Sequence, residues 1–322
     1  MFYKEIPIQP FSCKIEYTDA LFFIGSCFSE EIAKKFSYFK FNVISNPFGT
    51  LYNPVSIYNA LERIIKKKFV TKDDFFLDDD IYKSFDFHSQ IADTNLERLI
   101  DNTNKIILES HNFLSCAQWI FITYGTSHIY EHKHLKKIVS NCHKIPDSYF
   151  NQRLLELQEC ISYVENTLNI IQAFNKEINI VFTISPVRYM KYGAFLNQVS
   201  KSILFLSVYN KIQKNNNVFY FPSYEIFIDE LRDYRFYSND MLHPADIGIN
   251  YLWEKLKETI ISNEAINIMN KVNEILTASH HKVMFYESNS YKKLKNSILE
   301  KIENLEKTYP FLNFNKEKQL WK

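Results

Sequence analysis

Two short segments of the chain carry side chains suited to nucleophilic catalysis. In the first, "LFFIGSCFSEEIA" (residues 21–33), a hydroxyl at Ser26 and a thiol at Cys27 follow an apolar run that ends at Gly25. This pattern predicts a buried strand, a tight turn and an amphipathic helix. A thiol at a helix N-terminus lies beside unpaired N–H groups, which lower its pKa and can hold an oxyanion. The alternative is that Ser26 caps the helix and Cys27 is a small buried hydrophobic residue.

The second segment, "YSNDMLHPADIG" (residues 237–248), places Asp240 three residues before His243. A general base has to be held and oriented by a carboxylate or carbonyl, and an Asp-x-x-His turn supplies both groups on one loop. The alternative is an Asp that caps a helix and a surface His before the helix-starting Pro244.

The elements around these segments alternate between strand and helix. We predict strands at 21–26, 41–49, 119–125, 178–186 and 217–224, and helices at 28–39, 55–68, 94–118, 147–177 and 193–213. We predict Thr94 as a helix cap and an exposed hairpin over 127–144. This alternation predicts an α/β fold in which helices cover both faces of a doubly wound parallel sheet. Ligand sites in such sheets lie at the carboxyl ends of the strands.

Composition and charge exclude several classes of protein. The net charge is +1, so we expect no nucleic-acid partner. No apolar run approaches the ~20 residues that a membrane-spanning helix needs, so we expect no membrane span. The N-terminus does not resemble a secretory leader. The five cysteines form no Cys-x-x-Cys pair, which favours reduced thiols and a cytoplasmic location.

We predict an α/β domain over residues 1–260 and a helical C-terminal extension over 261–322 packed on it. In the extension, an apolar stripe recurs at helical spacing through Leu294, Ile298, Ile302 and Leu305. Such a stripe usually packs on the body of the protein. The alternative is pairing with a second chain, which would make the protein a homo-oligomer.

Six motifs resemble, in the same order, those of the GSCFA family, and the resemblance covers residues 1 to about 250. They are "FIGSCFSEEIA", "NPFGTLYNP" (46–54), "SFDFHS" (84–89), "NCHKIP" (141–146), "SPVR" (185–188) and "FPSYEIFIDELRDYRFYSNDMLHP" (221–244). This family is grouped with the SGNH, or GDSL-like, hydrolases. The resemblance therefore implies a flavodoxin-like three-layer α/β/α fold and an acyl-transfer site that needs no cofactor.

The resemblance also implies roles for single residues. Cys27 falls at the nucleophile position, with its own N–H as an oxyanion donor, and Ser26 stands where the superfamily has an aspartate. Gly49 matches the oxyanion glycine of the second block. Asp240 and His243 match the last block in full. Ser26 stays the alternative nucleophile.

The third block departs from the superfamily pattern, because Gly125-Thr126-Ser127 lacks its oxyanion asparagine. Asn46 or Asn141 could replace that donor. Arg188, after the fourth strand, could clamp a carboxylate or phosphate, or could be an ordinary paired surface arginine. His88 stands in a loop and could line the pocket, or could be a hydrogen-bonded structural histidine. His143, in "NCHKIP", could also line the pocket.

The segment "HIYEH" (128–132) fits a zinc-peptidase pattern whose ligands converge only on a helix. Here it follows a strand and alternates, which predicts a strand with His128 and His132 on one face and Glu131 on the other. A looser site formed by His132, His134, Cys142 and His143 has no ligand spacing in its favour. We therefore expect no metal.

These observations predict acyl transfer from an ester or thioester, either to water or to another acceptor. The substrate class would be a small-molecule or glycan acyl ester. The alternative is a non-catalytic or weakly catalytic binding protein on the same scaffold, which the missing asparagine favours.

Overall fold

The computed structural model describes residues 4–212, 215–280 and 287–321. The strands are β1 Ala20–Gly25, β2 Asn42–Ser45, β3 Phe76–Asp78, β4 Ile81–Lys83, β5 Trp119–Tyr124, β6 His128–His132, β7 Lys137–Val139, β8 Phe150–Leu154, β9 Asn179–Ile184 and β10 Val218–Phe221. The longer helices are α1 Cys27–Tyr38, α2 Pro54–Ile65, α3 Leu96–Cys116, α4 Leu157–Phe174 and α5 Gly193–Ile212. A short helix α6 Ser223–Glu225 is followed by α7 Asp246–Ile260, α8 Asn263–His280, α9 Asn289–Thr308 and α10 Asn315–Leu320.

A five-stranded sheet in the order β10-β9-β5-β1-β2 forms the centre of the fold. Every neighbouring pair in this sheet is parallel, so the carboxyl ends of all five strands lie along one edge. Leu21 and Phe23 of β1 face one apolar cluster, whereas Phe22 and Ile24 face the other. Because both faces are covered by helices, the predicted three-layer α/β/α architecture is confirmed.

The two apolar clusters divide the helices between the two faces. One face packs against α1, α7 and the C-terminal helices, through side chains such as Phe36, Trp253, Ile268 and Ile302. The other packs against α2, α3, α4 and α5, through Ile57, Ile107, Val164 and Leu204. The C-terminal stripe thus packs on the body of the protein at Ile298 and Ile302. The division at residue 260 and pairing with a second chain stay predictions.

Three local predictions were wrong. The hairpin over 127–144 forms, but it is not exposed, because His128, Ile129 and His132 of β6 are buried. The predicted helix over 147–177 begins only at Leu157, because residues 150–154 form β8 along β6 in a three-stranded antiparallel sheet, β7-β6-β8. Phe150 is buried and Asn151 is exposed, the alternation of a strand rather than of a helix. The cap of α3 is Asn95 rather than Thr94, since the Asn95 side chain accepts the N–H of Arg98.

The segment "HIYEH" forms strand β6, as its alternation predicts. Across residues 4–212, 215–280 and 287–321, no three His, Cys, Asp or Glu side chains are placed to hold a metal ion. In the same part of the chain, each helix is too short or too polar to cross a bilayer.

Candidate functional site

A cavity of about 690 Å³ opens at the carboxyl edge of the central sheet. Its walls come from the start of α1, from the loops that follow β2, β5 and β9, from the antiparallel sheet and from the loop before α7. Six of the predicted site residues line it: Ser26, Cys27, His88, Asn141, Arg188 and His243. The fold therefore brings the thiol and the imidazole, more than two hundred residues apart in sequence, to one cavity.

Ser26 and Cys27 occupy the turn between β1 and α1. Gly25 has φ +142°, and a Cβ at that position would lie 2.2 Å from the carbonyl oxygen of Thr123, so only glycine fits this close approach. Cys27 is the first residue of α1 and is partly exposed. Ser26 is 1% exposed, and its Oγ has no hydrogen-bond partner within the described ranges. The thiol is thus the more accessible of the two nucleophile candidates.

The environment of Cys27 combines opposing effects on its pKa. Burial raises the pKa of the thiol above its ordinary value, and Glu30 and Glu31 add to this increase. The backbone N–H groups of Phe28 and Cys27 lower it, as expected at a helix N-terminus. Burial is the largest of these effects, so the pKa of the thiol lies above its ordinary value rather than below it, contrary to the expectation from the helix N-terminus.

Asp240 and His243 form the predicted pair on the loop before α7. Asp240 Oδ2 lies 2.5 Å from His243 Nδ1, and Oδ1 accepts the N–H groups of Leu242 and His243, each at 2.9 Å. These backbone bonds, with the imidazole, hold the pKa of the Asp240 carboxyl far below its usual range. An ionised Asp240 fixes the proton of the imidazole on Nδ1, which leaves Nε2 free to accept a proton.

Arg188 braces this loop. Its Nη2 donates to the carbonyl oxygen of Met241 at 2.8 Å, and its guanidinium lies 5.1 Å from the ring centre of Tyr237. Met241 has a positive φ of 59°, an unusual conformation for a side chain of this size. Arg188 thus lines the cavity and also contacts the backbone between Asp240 and His243.

Gly49 occupies a different structural position from the one that its predicted oxyanion role requires. Its N–H donates to the carbonyl oxygen of Asn46 at 2.7 Å, and it does not line the cavity. It has φ +78°, and a Cβ there would lie 2.3 Å from Cβ of His88. Gly49 therefore allows the His88 loop to pack closely, and the oxyanion donor has to be sought elsewhere.

Asn46 and His143 also lie outside the cavity lining. Asn46 Oδ1 accepts the N–H of Gly25 at 2.8 Å, which ties the end of β2 to the end of β1. His143 Nε2 lies 2.7 Å from the carbonyl oxygen of Ser84, and burial lowers its pKa. Both are placed as structural residues. Asn141 lines the cavity, and its Oδ1 accepts the N–H of His143.

Asn53 was missed by the sequence analysis although it stands in a quoted motif. It lines the cavity, and its Oδ1 caps α2 by accepting the N–H of Ser56 at 2.9 Å. This bond fixes the amide and leaves its Nδ2 group as a donor. The Asn-Pro pair at a helix start was the available signal, but it indicated only a cap.

A cluster of tyrosines, two of which (Tyr130 and Tyr189) line the cavity, was also missed. The hydroxyls of Tyr189 and Tyr192 lie 2.8 and 2.7 Å from that of Tyr130, and Lys191 Nζ lies 5.2 Å from the ring centre of Tyr130. His128, 2% exposed, accepts from Gln152 through Nδ1, and its Nε2 is unpartnered among the described residues. The cluster forms because β6 packs against the loop after β9, and no short sequence motif marks this contact.

Lys201 was also missed by the sequence analysis. It lies in the middle of α5, is 2% exposed and donates to the carbonyl oxygens of Gly125 and Ser185, both at 2.7 Å. Its position on the buried stripe of α5, four residues after Asn197 and three before Leu204, was a signal in the sequence.

Comparison with known proteins confirms the resemblance to the GSCFA family. Residues 20–256 match the model of the GSCFA family, and residues 272–321 match that of the GSCFA domain protein, C-terminal domain. No curated protein matches the chain significantly. Since the first match covers well over half of the sequence, this chain belongs to the GSCFA family.

Proposed function

We propose that the protein is an SGNH-type hydrolase or acyltransferase that acts on the acyl group of an ester or thioester. One observation carries this proposal: a thiol at the start of α1 and an imidazole oriented by a carboxylate line the same cavity. Membership in the SGNH superfamily is part of the same proposal, because the third block departs from the pattern of that superfamily.

In the proposed reaction, the sulfur of Cys27 attacks the carbonyl carbon, and the thiol proton passes to Nε2 of His243. Asp240 stabilises the imidazolium that forms. The tetrahedral intermediate collapses to an acyl-thioester on Cys27, and the leaving alkoxide or thiolate takes the proton from His243. Water or another acceptor then attacks the thioester while His243 removes its proton, which releases the acyl product and restores the thiol.

The oxyanion needs donors that are not otherwise engaged. We assign one to the backbone N–H of Cys27, which reaches toward its sulfur at the start of α1. We assign a second to Nδ2 of Asn53, whose amide is fixed by its bond to Ser56. An asparagine from the loop after β2 would then replace the one that the third block lacks.

The test compares wild type with Cys27→Ala, Ser26→Ala and His243→Ala on p-nitrophenyl acetate and butyrate. If Cys27 is the nucleophile, Cys27→Ala and His243→Ala lower kcat/KM by about 100-fold or more, and Ser26→Ala stays within a few-fold of wild type. The reverse order of the Cys27 and Ser26 variants assigns the attack to Ser26. Equal rates for all four proteins refute the catalytic proposal.

The tyrosine cluster supports a glycan acyl ester over a simple aliphatic ester. Aromatic rings provide faces for sugar rings, and the exposed side chains of Lys191 and Asp147 provide polar contacts at the rim. We expect kcat/KM for acetylated oligosaccharides to exceed that for ethyl acetate. We expect Tyr130→Ala, a change in the cavity wall, to lower the sugar rate while leaving p-nitrophenyl acetate hydrolysis near wild type.

The second candidate function is that of a binding protein without turnover. The burial of Cys27 favours it, because a raised thiol pKa lowers the fraction of thiolate at neutral pH. In that case a thiol-directed acyl probe leaves Cys27 unlabelled, and acetylated oligosaccharides bind wild type and His243→Ala with equal affinity. Labelling of Cys27 that requires His243 contradicts the binding-protein candidate.

We also propose a reducing, cytoplasmic location, which the five unpaired cysteines support. Cell fractionation tests it, and recovery of the protein from an oxidising compartment contradicts it.

A further inference from the structure

The part of the cavity wall built by β6 and the loop after β9 is rich in hydrogen-bond donors. Four of its side chains, His128, Tyr130, Tyr189 and Lys191, line the cavity and are called the donor cluster below. The hydroxyl of Tyr130 lies at the centre of the cluster. Tyr189 Oη lies 2.8 Å from it, Tyr192 Oη 2.7 Å and Lys191 Nζ 3.3 Å. Three polar groups thus converge on one oxygen at the cavity wall.

The tyrosine hydroxyls hold one proton more than they can share. The ammonium group of Lys191 can only donate, so the Tyr130 oxygen accepts from it, accepts from one neighbouring hydroxyl and donates to the other. The hydroxyl that receives this proton keeps its own O–H, for which the cluster has no acceptor. An acceptor beside Tyr189, which lines the cavity, would select the arrangement in which the Tyr189 O–H is the free one.

His128 adds a second unpartnered donor. The residue is 2% exposed, and its ring centre lies 5.5 Å from that of Tyr189 and 4.8 Å from that of Tyr192. Burial lowers the pKa of His128, so the imidazole is neutral and carries one proton. The amide of Gln152 donates to Nδ1, which leaves that proton on Nε2, and Nε2 has no partner within the described ranges. Because buried polar groups are normally paired, an unpartnered N–H in a cavity wall indicates a ligand.

The lining of the cavity carries more positive than negative charge. Among the described residues that line it, Arg188 and Lys191 are cations and Asp147 is the one carboxylate. Arg188 donates to the backbone carbonyl oxygen of Met241. Asp147 Oδ2 lies 3.3 Å from Lys191 Nζ, but the Asp147 side chain is 78% exposed, so water and salt weaken this pair. An anion that enters the cavity therefore meets free donors and an attractive potential.

We propose that the donor cluster binds a carboxylate of the substrate, so that the substrate class is an acyl ester that also carries an acid group. The cluster offers one ammonium group and two neutral donors, which suit the single charge and two oxygens of a carboxylate better than a phosphate dianion. The carboxylate oxygens accept from Lys191, Tyr189 and His128. The identity of the ester rests on the proposed function, but binding of the carboxylate needs no turnover.

Two parts of such a substrate can provide the carboxylate, and two pairs of ester-free ligands distinguish them by isothermal titration calorimetry. Trigalacturonate is compared with α-1,4-galactotriose, in which a hydroxymethyl group replaces each carboxylate of the sugar. Glutaramate is compared with the uncharged glutaramide and represents a carboxylate on the acyl chain. Tighter binding of the charged member of the first pair places the carboxylate on the sugar, and of the second pair on the acyl chain.

Four variants test which side chains bind the carboxylate. Lys191→Met removes the ammonium group and keeps an apolar stem, and Tyr189→Phe removes one hydroxyl. Asp147→Asn removes the carboxylate that competes for Lys191. Lys133→Met is the matched control, because Lys133 directly follows β6, donates to the carbonyl oxygen of Ser148 and lies outside the cavity lining.

We expect Lys191→Met to weaken binding of the preferred carboxylate about tenfold, Tyr189→Phe to weaken it about threefold and Asp147→Asn to tighten it about threefold. The uncharged ligands should bind these variants as they bind wild type, and Lys133→Met should bind every ligand as wild type does. The preference for the charged ligand should shrink in high salt.

Equal affinities within both ligand pairs overturn the inference. So does a folded Lys191→Met protein that prefers the charged ligand as strongly as wild type does. A wild type that prefers a carboxylate ligand, loses this preference in Lys191→Met and yet releases no acetate from acetylated trigalacturonate or p-nitrophenyl acetate refutes the proposed function alone.

Discussion

At the scale of single residues, Gly49 and Gly193 provide a matched pair for the cost of backbone strain. Both have positive φ, of +78° and +86°, but a Cβ at Gly49 would overlap His88 whereas one at Gly193 would meet nothing within 4 Å. Positive φ costs a non-glycine residue about 1 kcal/mol, and an overlap with a packed loop adds to this cost.

We therefore expect Gly49→Ala to lower the free energy of unfolding by about 2–3 kcal/mol and Gly193→Ala by about 1 kcal/mol, as measured by urea denaturation. Equal losses for the two variants would mean that the close packing of the His88 loop contributes nothing to stability. They would also remove the structural account of why the N–H of Gly49 is committed to Asn46.

Residue chemistry also explains why the thiol is not activated by its position alone. A helix N-terminus lowers the pKa of Cys27, yet burial raises it by more. Because desolvation opposes the charged form of any acid, a nucleophile in a closed cavity needs a nearby cation or a good base. His243, which lines the same cavity and is oriented by Asp240, is the base that we propose for this role.

At the scale of elements, the loop before α7 depends on contacts from outside its own sequence. Arg188, from the loop after β9, donates to the carbonyl oxygen of Met241 between Asp240 and His243. The exposed Arg235, by contrast, pairs with Asp233, two residues before it on the same loop. The geometry of the Asp240–His243 pair is thus set partly by a neighbouring strand end.

We expect Arg188→Met to increase amide hydrogen exchange across residues 238–243 and to lower kcat by about tenfold, because the imidazole is then held less well. Arg235→Met should change neither quantity. If Arg188→Met raises KM alone and leaves exchange unchanged, Arg188 contacts the substrate and does not brace the loop.

At the scale of the whole molecule, the C-terminal helices belong to the same core as the sheet. Ile302 of α9 is fully buried in the cluster that also contains Phe36 and Trp253, whereas Leu294 on the same stripe is 40% exposed. Burial on that scale contributes several kcal/mol for a large aliphatic side chain.

We expect Ile302→Ala to lower the free energy of unfolding by about 3 kcal/mol in a single cooperative transition, and Leu294→Ala to lower it by well under 1 kcal/mol. Two separate transitions would mean that the extension folds independently of the sheet.

Leu294→Glu tests the prediction that the apolar stripe pairs with a second chain. If the stripe holds a dimer, the variant dissociates, and the mass measured by size-exclusion chromatography with light scattering falls by half.

The sequence by itself determined most of the central strands and helices and the residue types that meet at the candidate site. Periods of two and 3.6 residues and a tight Gly-Ser-Cys turn are local patterns, so β1, α1 and the parallel sheet were predictable. The Asp-x-x-His spacing is equally local, and the pair forms as expected. The position of Cys27 at the carboxyl end of β1 then followed from the general geometry of parallel sheets.

Only the tertiary structure decided which groups are engaged, buried or charged at that site. The N–H of Gly49 is occupied by Asn46, β8 forms because β6 offers it an edge, and burial controls the pKa values of Cys27 and Lys201. Each of these facts depends on atoms that are distant in sequence. Desolvation and hydrogen-bond partners are properties of the packed molecule, which is why no spacing of residues along the chain reveals them.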